Sequence, residues 1–204
     1  MSREEQDTII KYTKLANKYG DSYLSLNWGS REGQHLRFEI LSEIDNLNGA
    51  RILDVGCGLG DFAGYLSNSG ISADYTGIDI TEDLIEIAKK KHPDFNFLVG
   101  SISDESIFSN NQFDYVFASG IFATYANNGD EWLKKCLARM WDIAKKGIAF
   151  NTLSAWASDK EEGEYYAEPV WLLNVARELS PWVIMRHDYH PRDVALYITR
   201  HKRS

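Results

Sequence analysis

The segment Ile52-Leu53-Asp54-Val55-Gly56-Cys57-Gly58-Leu59-Gly60-Asp61 constrains this chain more than any other. The apolar run from Arg51 to Val55 reads as a buried parallel strand. Three glycines at alternate positions then turn the chain tightly enough for its backbone to approach a ligand, which a Cβ would prevent. From Asp61 to Ser69, Phe62, Tyr65 and Leu66 fall at helical spacing, and Gly70 follows as a stop. Strand, glycine turn and helix form the context that a nucleotide-binding fingerprint requires. The spacing is not that of a dinucleotide site. That motif needs a small residue at its sixth position, and counting from Gly56 this position is Asp61.

D-x-G-x-G-x-G, led by Asp54, resembles the first motif of class I S-adenosylmethionine-dependent methyltransferases. Tyr75-Thr76-Gly77-Ile78-Asp79-Ile80 then reads as a second strand with an acid at its carboxyl end, 25 positions beyond Asp54. A carboxylate in that place accepts both ribose hydroxyls in nucleotide folds. The plainer reading of the two segments is a turn and a strand-end acid that only cap helices.

The 204 residues suit one domain (1–204), divided into an N-terminal helical cap segment (1–48) and a Rossmann-like core (49–204). The composition, 44% hydrophobic and 25% charged, is that of a globular protein. No apolar stretch reaches the length of a membrane span, and Met-Ser-Arg-Glu-Glu does not read as the opening of a signal peptide. A cytoplasmic location and no membrane partner are therefore expected. Cys57 in the glycine turn and Cys136 in a helical pattern suggest neither a disulfide nor a metal site. A net charge of −8 counts against a nucleic-acid partner, which normally meets a basic face. A small-molecule substrate is expected, with a monomer or homodimer.

Residues 1–20 carry Ile9, Ile10, Tyr12, Leu15, Ala16 and Tyr19, an amphipathic helix. Ser30 caps a second helix with Leu36, Ile40, Ile44 and Leu47 on one face. Thr81 caps a helix with acids in its first turn and Lys89 to Lys91 in its last, ended by Pro93. Further strands are predicted at 95–99, 113–119 and 148–153, with a helix over 130–146 stopped by Gly147. The Asn127-Asn128-Gly129 run and Asp130 read as turn and cap chemistry. A helix from Pro169 to Leu179 precedes two strands, 182–190 and 193–200, whose connection is too short for a parallel crossover. The predicted fold is α/β: a doubly wound, mostly parallel seven-stranded sheet with an antiparallel C-terminal hairpin strand and N-terminal helices. That ending also resembles the class I methyltransferase fold, so the likeness spans about residues 31–200.

The resemblance implies S-adenosyl-L-methionine as cofactor and assigns positions one at a time. Gly56, Gly58 and Gly60 form the turn under the methionine portion, with Asp54 at its edge. Asp79 takes the ribose hydroxyls and Ile80 offers an apolar surface to the adenine. After the third strand the family usually presents an acid that holds the adenine amino group, followed by an apolar residue. Here Ser101 and Ile102 stand in those places, and Ser101 reads equally as a cap before Asp104 and Glu105. Ser119 ends the fourth strand, where the family's chain runs beside the transferable methyl. Phe122 reads either as a cover for the sulfonium or as ordinary core.

Three aromatic-rich segments are candidates for the acceptor pocket: the region of Trp28 and Arg37, the pair Tyr165 and Tyr166, and the turn from Arg186 to Asp193. Arg37 or Arg186 would hold an anionic group of the substrate. The last segment reads equally as a solvated turn with salt-linked strands. Methyl transfer is an in-line displacement that depends chiefly on positioning. A hydroxyl acceptor would need a base, for which His187 comes first and His190 second. These residues lead to a methyltransferase acting on oxygen or nitrogen of a small polar metabolite. The alternatives are a nucleic-acid or protein methyltransferase and a non-catalytic S-adenosylmethionine-binding module.

Overall fold

The computed structural model describes residues 2–124 and 128–202, so Asn127 of the predicted turn lies outside the described residues. Seven strands form one sheet: β1 (Arg51–Val55), β2 (Asp74–Asp79), β3 (Asn96–Val99), β4 (Phe113–Ala118), β5 (Ala144–Leu153), β6 (Trp182–Arg186) and β7 (Asp193–Thr199). Their order is β3-β2-β1-β4-β5-β7-β6. The first five run parallel, β7 runs antiparallel to β5, and β6 antiparallel to β7. β6 therefore points the same way as β1 to β5. The turn between β6 and β7 thus opens at the carboxyl edge of the sheet, as the sequence predicts, and this is the edge where ligands bind in such folds.

Both faces of the sheet are covered, which explains strands that are apolar throughout rather than alternating. Along β4, Tyr115 and Phe117 face one core while Val116 and Ala118 face the other; along β7, Ala195 and Tyr197 oppose Val194, Leu196 and Ile198. One core packs against α2 (Arg31–Ser42), α3 (Asp61–Asn68) and α4 (Glu82–Lys91). The other packs against α5 (Gly129–Ile143) and α6 (Pro169–Leu179). α1 (Arg3–Tyr19) lies outside this sandwich, started by a capping box between Ser2 and Glu5.

Four boundaries differ from the sequence reading by more than two residues. α2 stops at Ser42 although Ile44 and Leu47 stay buried. Asp45 Oδ1 captures the Asn46 N–H at 2.7 Å and Asn46 Oδ1 that of Asn48 at 3.0 Å, offering the backbone an alternative to the helix. α5 ends at Ile143 and β5 begins at Ala144, four residues before the predicted start, with Gly147 inside the strand. Here a guanidinium takes the place of a glycine stop. Arg200 donates to the carbonyls of Trp141 (2.7 Å) and Ala144 (3.1 Å) and stacks 4.2 Å over the Trp141 ring. β6 ends at Arg186 rather than His190, because the turn bonds elsewhere than the ladder: Asp193 N–H goes to the His190 carbonyl, the Arg192 carbonyl accepts the Ser154 N–H, and Pro191 has no N–H to give. Thr81 stands at the cap position before α4, as expected, but its hydroxyl makes no cap bond.

Arg200→Ala removes the groups that satisfy the end of α5 and uncovers Trp141. It is expected to lower stability by about 1–3 kcal/mol in urea unfolding with the sheet intact. A loss of less than a few tenths would show that water replaces the guanidinium at no cost.

Candidate functional site

Two clefts meet at the carboxyl edge of the sheet. The first, about 790 Å³ and open to solvent, lies over the glycine turn and runs past Asp79 and Ile80 to Ser101 and Ile102. Gly56 and Gly58 line it with φ of 71° and 53°, left-handed values that admit glycine at little cost. The turn is fastened to β2: Gly56 and Cys57 N–H groups both reach the Ile78 carbonyl (2.8 and 3.1 Å), and Gly58 N–H reaches Asp79 Oδ2 at 3.0 Å. Asp79 Oδ1 accepts the Thr81 N–H at 2.8 Å. Each carboxylate oxygen keeps a further lone pair for a ligand in the cleft. Burial pushes the Asp79 carboxyl above the usual carboxylate range, opposed by the N–H groups of Thr81 and Gly58. Ser119 lines the same cleft with a buried hydroxyl that has no partner.

Two residues of the motif serve the turn from beneath. Gly60 begins α3, and a Cβ there would meet the Phe97 ring at 2.7 Å. Asp54 is buried under the turn, its Oδ2 accepting the Tyr75 hydroxyl at 2.6 Å. Burial pushes its carboxyl up to about 7, lowered in part by the Tyr75 bond and raised further by Asp79 and Asp61.

The second cleft, about 2360 Å³ and broadly open, shares Thr8, Tyr12, Leu26, Trp28, Gly120 and Thr124 with the first. Trp28 stands at the junction, with Gly120 so close beneath it that a Cβ would lie 2.7 Å from the indole. Arg37 packs 4.8 Å from the Trp28 ring and places Nε 2.5 Å from Asp193 Oδ2. Asn151 and Thr152, at the end of β5, line the cleft and hold buried oxygen atoms without partners. Such atoms are uncommon in a folded protein and mark a place where a ligand or water completes the bonding.

His190 lines this cleft, with Nδ1 accepting the Arg192 N–H at 3.2 Å and lying 3.8 Å from Asp193 Oδ2. Burial lowers its pKa, opposed by Asp193 and assisted by Arg37 and Arg192. The neutral ring with Nδ1 accepting carries its proton on Nε2.

The other predicted pocket residues lie elsewhere. His187 is outside both clefts, its Nε2 2.7 Å from Ser154 Oγ and its ring against Trp156. Arg186 pairs with Glu43 and Asp188, away from the clefts. Phe122 is fully buried between Phe150 and Trp132, which makes it core. Tyr165 is buried against Gly129 and bonds to Asp130. Tyr166 is structural: its hydroxyl donates to Glu164 and accepts from the Glu161 N–H and from Arg192, tying the segment after β5 to the hairpin turn. The sequence reading placed Asp193 at the end of a candidate turn without a role of its own, and missed Asn151, Thr152 and Glu5. An acid heading the apolar run Val194 to Ile198 was the available signal for Asp193.

The family described as "Methyltransferase domain" matches residues 52–147. The Mycobacterium tuberculosis protein Rv1506c, which carries a methyltransferase name, is 31% identical over 148 residues, covering 68% of this chain and 86% of that protein. A magnesium-protoporphyrin O-methyltransferase of Rhodobacter capsulatus is 39% identical over 95 residues; the match covers 43% of this chain and 40% of that enzyme. Among solved structures, magnesium protoporphyrin IX methyltransferase from Synechocystis, crystallised with bound SAM, aligns at a TM-score of 0.71 and 14% identity, over 98% of this chain and 99% of that one.

The buried acid under the turn gives a pH signature. With its folded pKa near 7 and an unfolded value of about 3.9, the stability Asp54 contributes is full below about pH 4 and lost as pH rises through 7. Asp54→Asn removes that loss. The variant should gain on the wild type between pH 4 and 7 by an amount on the order of a few kcal/mol, read by urea unfolding at each pH. A difference that stays flat across this window would mean that Asp54 ionises normally.

Proposed function

The chain belongs to the class I S-adenosylmethionine-dependent methyltransferases, and from that premise we propose that it methylates an oxygen or nitrogen of a small polar molecule held in the second cleft. One observation carries the reading: the cleft over the glycine turn opens into a polar cleft, and the two share Trp28 and Gly120 as their common wall.

The residues present fit an adenosyl cofactor. Asp79 retains acceptor capacity for paired hydroxyls, Ser119 holds an unpartnered hydroxyl, Ile80 and Ile102 supply apolar surface, and the turn's backbone is open to close approach. When bound, S-adenosylmethionine supplies an electrophilic methyl group on a sulfonium. The protein's own task is then to bring an acceptor to the junction, align it and keep competing water away. Trp28, fixed by Arg37 on one side and Gly120 on the other, forms a rigid apolar wall at that point.

His190 donates rather than accepts in this arrangement. Nδ1 is occupied, and Asp193 at 3.8 Å is too distant to hold an Nδ1 proton while Nε2 acts as base. The ring's protonated Nε2 is suited to orient a lone pair of the acceptor, which favours an oxygen that is already ionised or needs no enzymatic base. The O-methyltransferase name of the Rhodobacter relative points the same way. The lining of the second cleft sets Glu4, Asp7, Glu161, Glu164 and Asp193 against Lys11, Arg37 and Arg192. Arg37 is already paired with Asp193 and Arg192 with Glu161 and Glu164, so neither is left as a clamp for an anionic substrate group. Charge therefore supports a small acceptor of low net charge over a polyanion.

Calorimetric titration is expected to show micromolar binding of S-adenosylhomocysteine and none of nicotinamide dinucleotides. Asp79→Ala should weaken that binding by roughly 1–3 kcal/mol with the fold retained. Unchanged affinity in the folded variant would remove Asp79 from the ribose. A transfer assay with labelled S-adenosylmethionine and panels of small carboxylates, phenols and amines tests the acceptor. Transfer to none of them, with cofactor binding intact, would favour a binding module.

A further inference from the structure

The first cleft ends in a polar cluster that takes one of its members from outside the core. Past Asp79, the cleft is lined by Ile80 and Ile102, two apolar side chains suited to contact with a flat ring. At its end stand Ser101 and, from α1, Glu5. Ser101 Oγ donates to Glu5 Oε1 at 2.6 Å and accepts the Ser103 N–H at 3.2 Å. The other carboxylate oxygen, Glu5 Oε2, accepts the Ser2 N–H at 2.8 Å in the capping box that starts α1.

A hydroxyl has one proton and two lone pairs. At Ser101 the proton is spent on Glu5 and one lone pair on Ser103, so what remains is a single lone pair, an acceptor. Glu5 itself is an acceptor only. The charge on its carboxylate also strengthens the bond that fixes the hydroxyl's direction. With Ser101 locked in this sense, a group that donates is recognised here, and a group that only accepts leaves two acceptors facing each other without a proton between them.

We propose that Glu5 is a specificity-determining residue: by holding the Ser101 proton it makes the end of the cleft select the 6-amino group of an adenine ring and reject a 6-oxo purine. The inference rests on the reading of this cleft as an adenosyl site and adds to it a residue from α1, 96 positions away in sequence from its partner. The strand segment itself offers no acid at Ser101, so the selectivity depends on the helix being docked.

The test compares S-adenosylhomocysteine with its 6-oxo analogue, S-inosylhomocysteine, by calorimetry on the full chain. The wild type is expected to favour the adenosyl compound by about 10²-fold, as for a site whose hydrogen-bonding groups go unpaired with the wrong ligand. In Glu5→Ala the freed Ser101 hydroxyl can turn and donate to a 6-oxo group, so the preference should fall at least tenfold. A merely structural role for Glu5 would weaken both ligands alike and leave the ratio unchanged, which overturns the proposal. Ser101→Ala, which leaves α1 and its cap untouched, should lose the preference as well. Ser2→Ala removes the cap hydroxyl but not the Ser101 contact, and should keep it. If neither compound binds the wild type, the cofactor reading has failed instead, and the two failures are told apart by that first titration.

Discussion

Asp79 is the tie on which the rest of this site depends. Its carboxylate holds the glycine turn after β1 through the Gly58 N–H and the start of α4 through the Thr81 N–H, while its own carbonyl receives the Gly100 N–H beyond β3. Three neighbouring chain segments at the sheet's carboxyl edge are thus joined through one residue. Two backbone donors also stabilise the charged form of a carboxyl that burial would otherwise disfavour. The acid is therefore structural while it also lines the first cleft, and its direction there is already fixed by these bonds. Such preorganisation lowers the cost of binding, because little has to be ordered when the ligand arrives.

The second cleft is built by a different kind of tie. Arg37 and the fully buried Asp193 bring α2 to the first residue of β7, and neither charge would be tolerable there alone. The pair also sets Trp28 in place by supporting one face of its ring. The wall between the clefts is consequently anchored to the antiparallel end of the sheet, whereas the first cleft is anchored to its parallel half. The sheet's change of direction at β5 and β7 brings both sets of residues to one edge. Without β6 returning parallel to β5, the turn carrying His190 and Arg192 would lie at the opposite end.

What the sequence made legible was whatever depends on local chemistry. The strand, glycine turn and helix from Arg51 to Asn68, the acid at Asp79 and the antiparallel ending follow from spacing, turn residues and connection length, and each stands where it was expected. Several of the errors share a cause, which is that a side chain's partner lay far away in sequence. His187 and Arg186 carry the right chemistry but are bound by Ser154 and by Glu43. Phe122 reads the same in sequence whether it lines a pocket or fills a core, and only Phe150 and Trp132 around it decide. The early end of α5 was illegible for the same reason, since the cap comes from Arg200, more than fifty residues on. Glu5 shows the converse: an acid without a role in the sequence reading closes the capping box of α1 and also reaches Ser101 in a distant loop.

α1 differs from the other walls in how it is held. Ala16 is its one buried residue, packed against Leu59 and Leu84. Tyr12 packs partly buried against the same cluster, and two polar contacts add to it: Thr13 to Asp83 at 2.8 Å and Glu5 to Ser101 at 2.6 Å. Yet through Thr8 and Tyr12 this helix lines both clefts. A wall with so little buried apolar surface opens at a lower free energy than the sheet beneath it, because undocking exposes few apolar groups and returns the polar ones to water. A helix with one fully buried residue is thus the element that borders both clefts. Any contact made with α1 in one cleft therefore bears on the wall of the other, and Glu5 is the point at which the first cleft has hold of it.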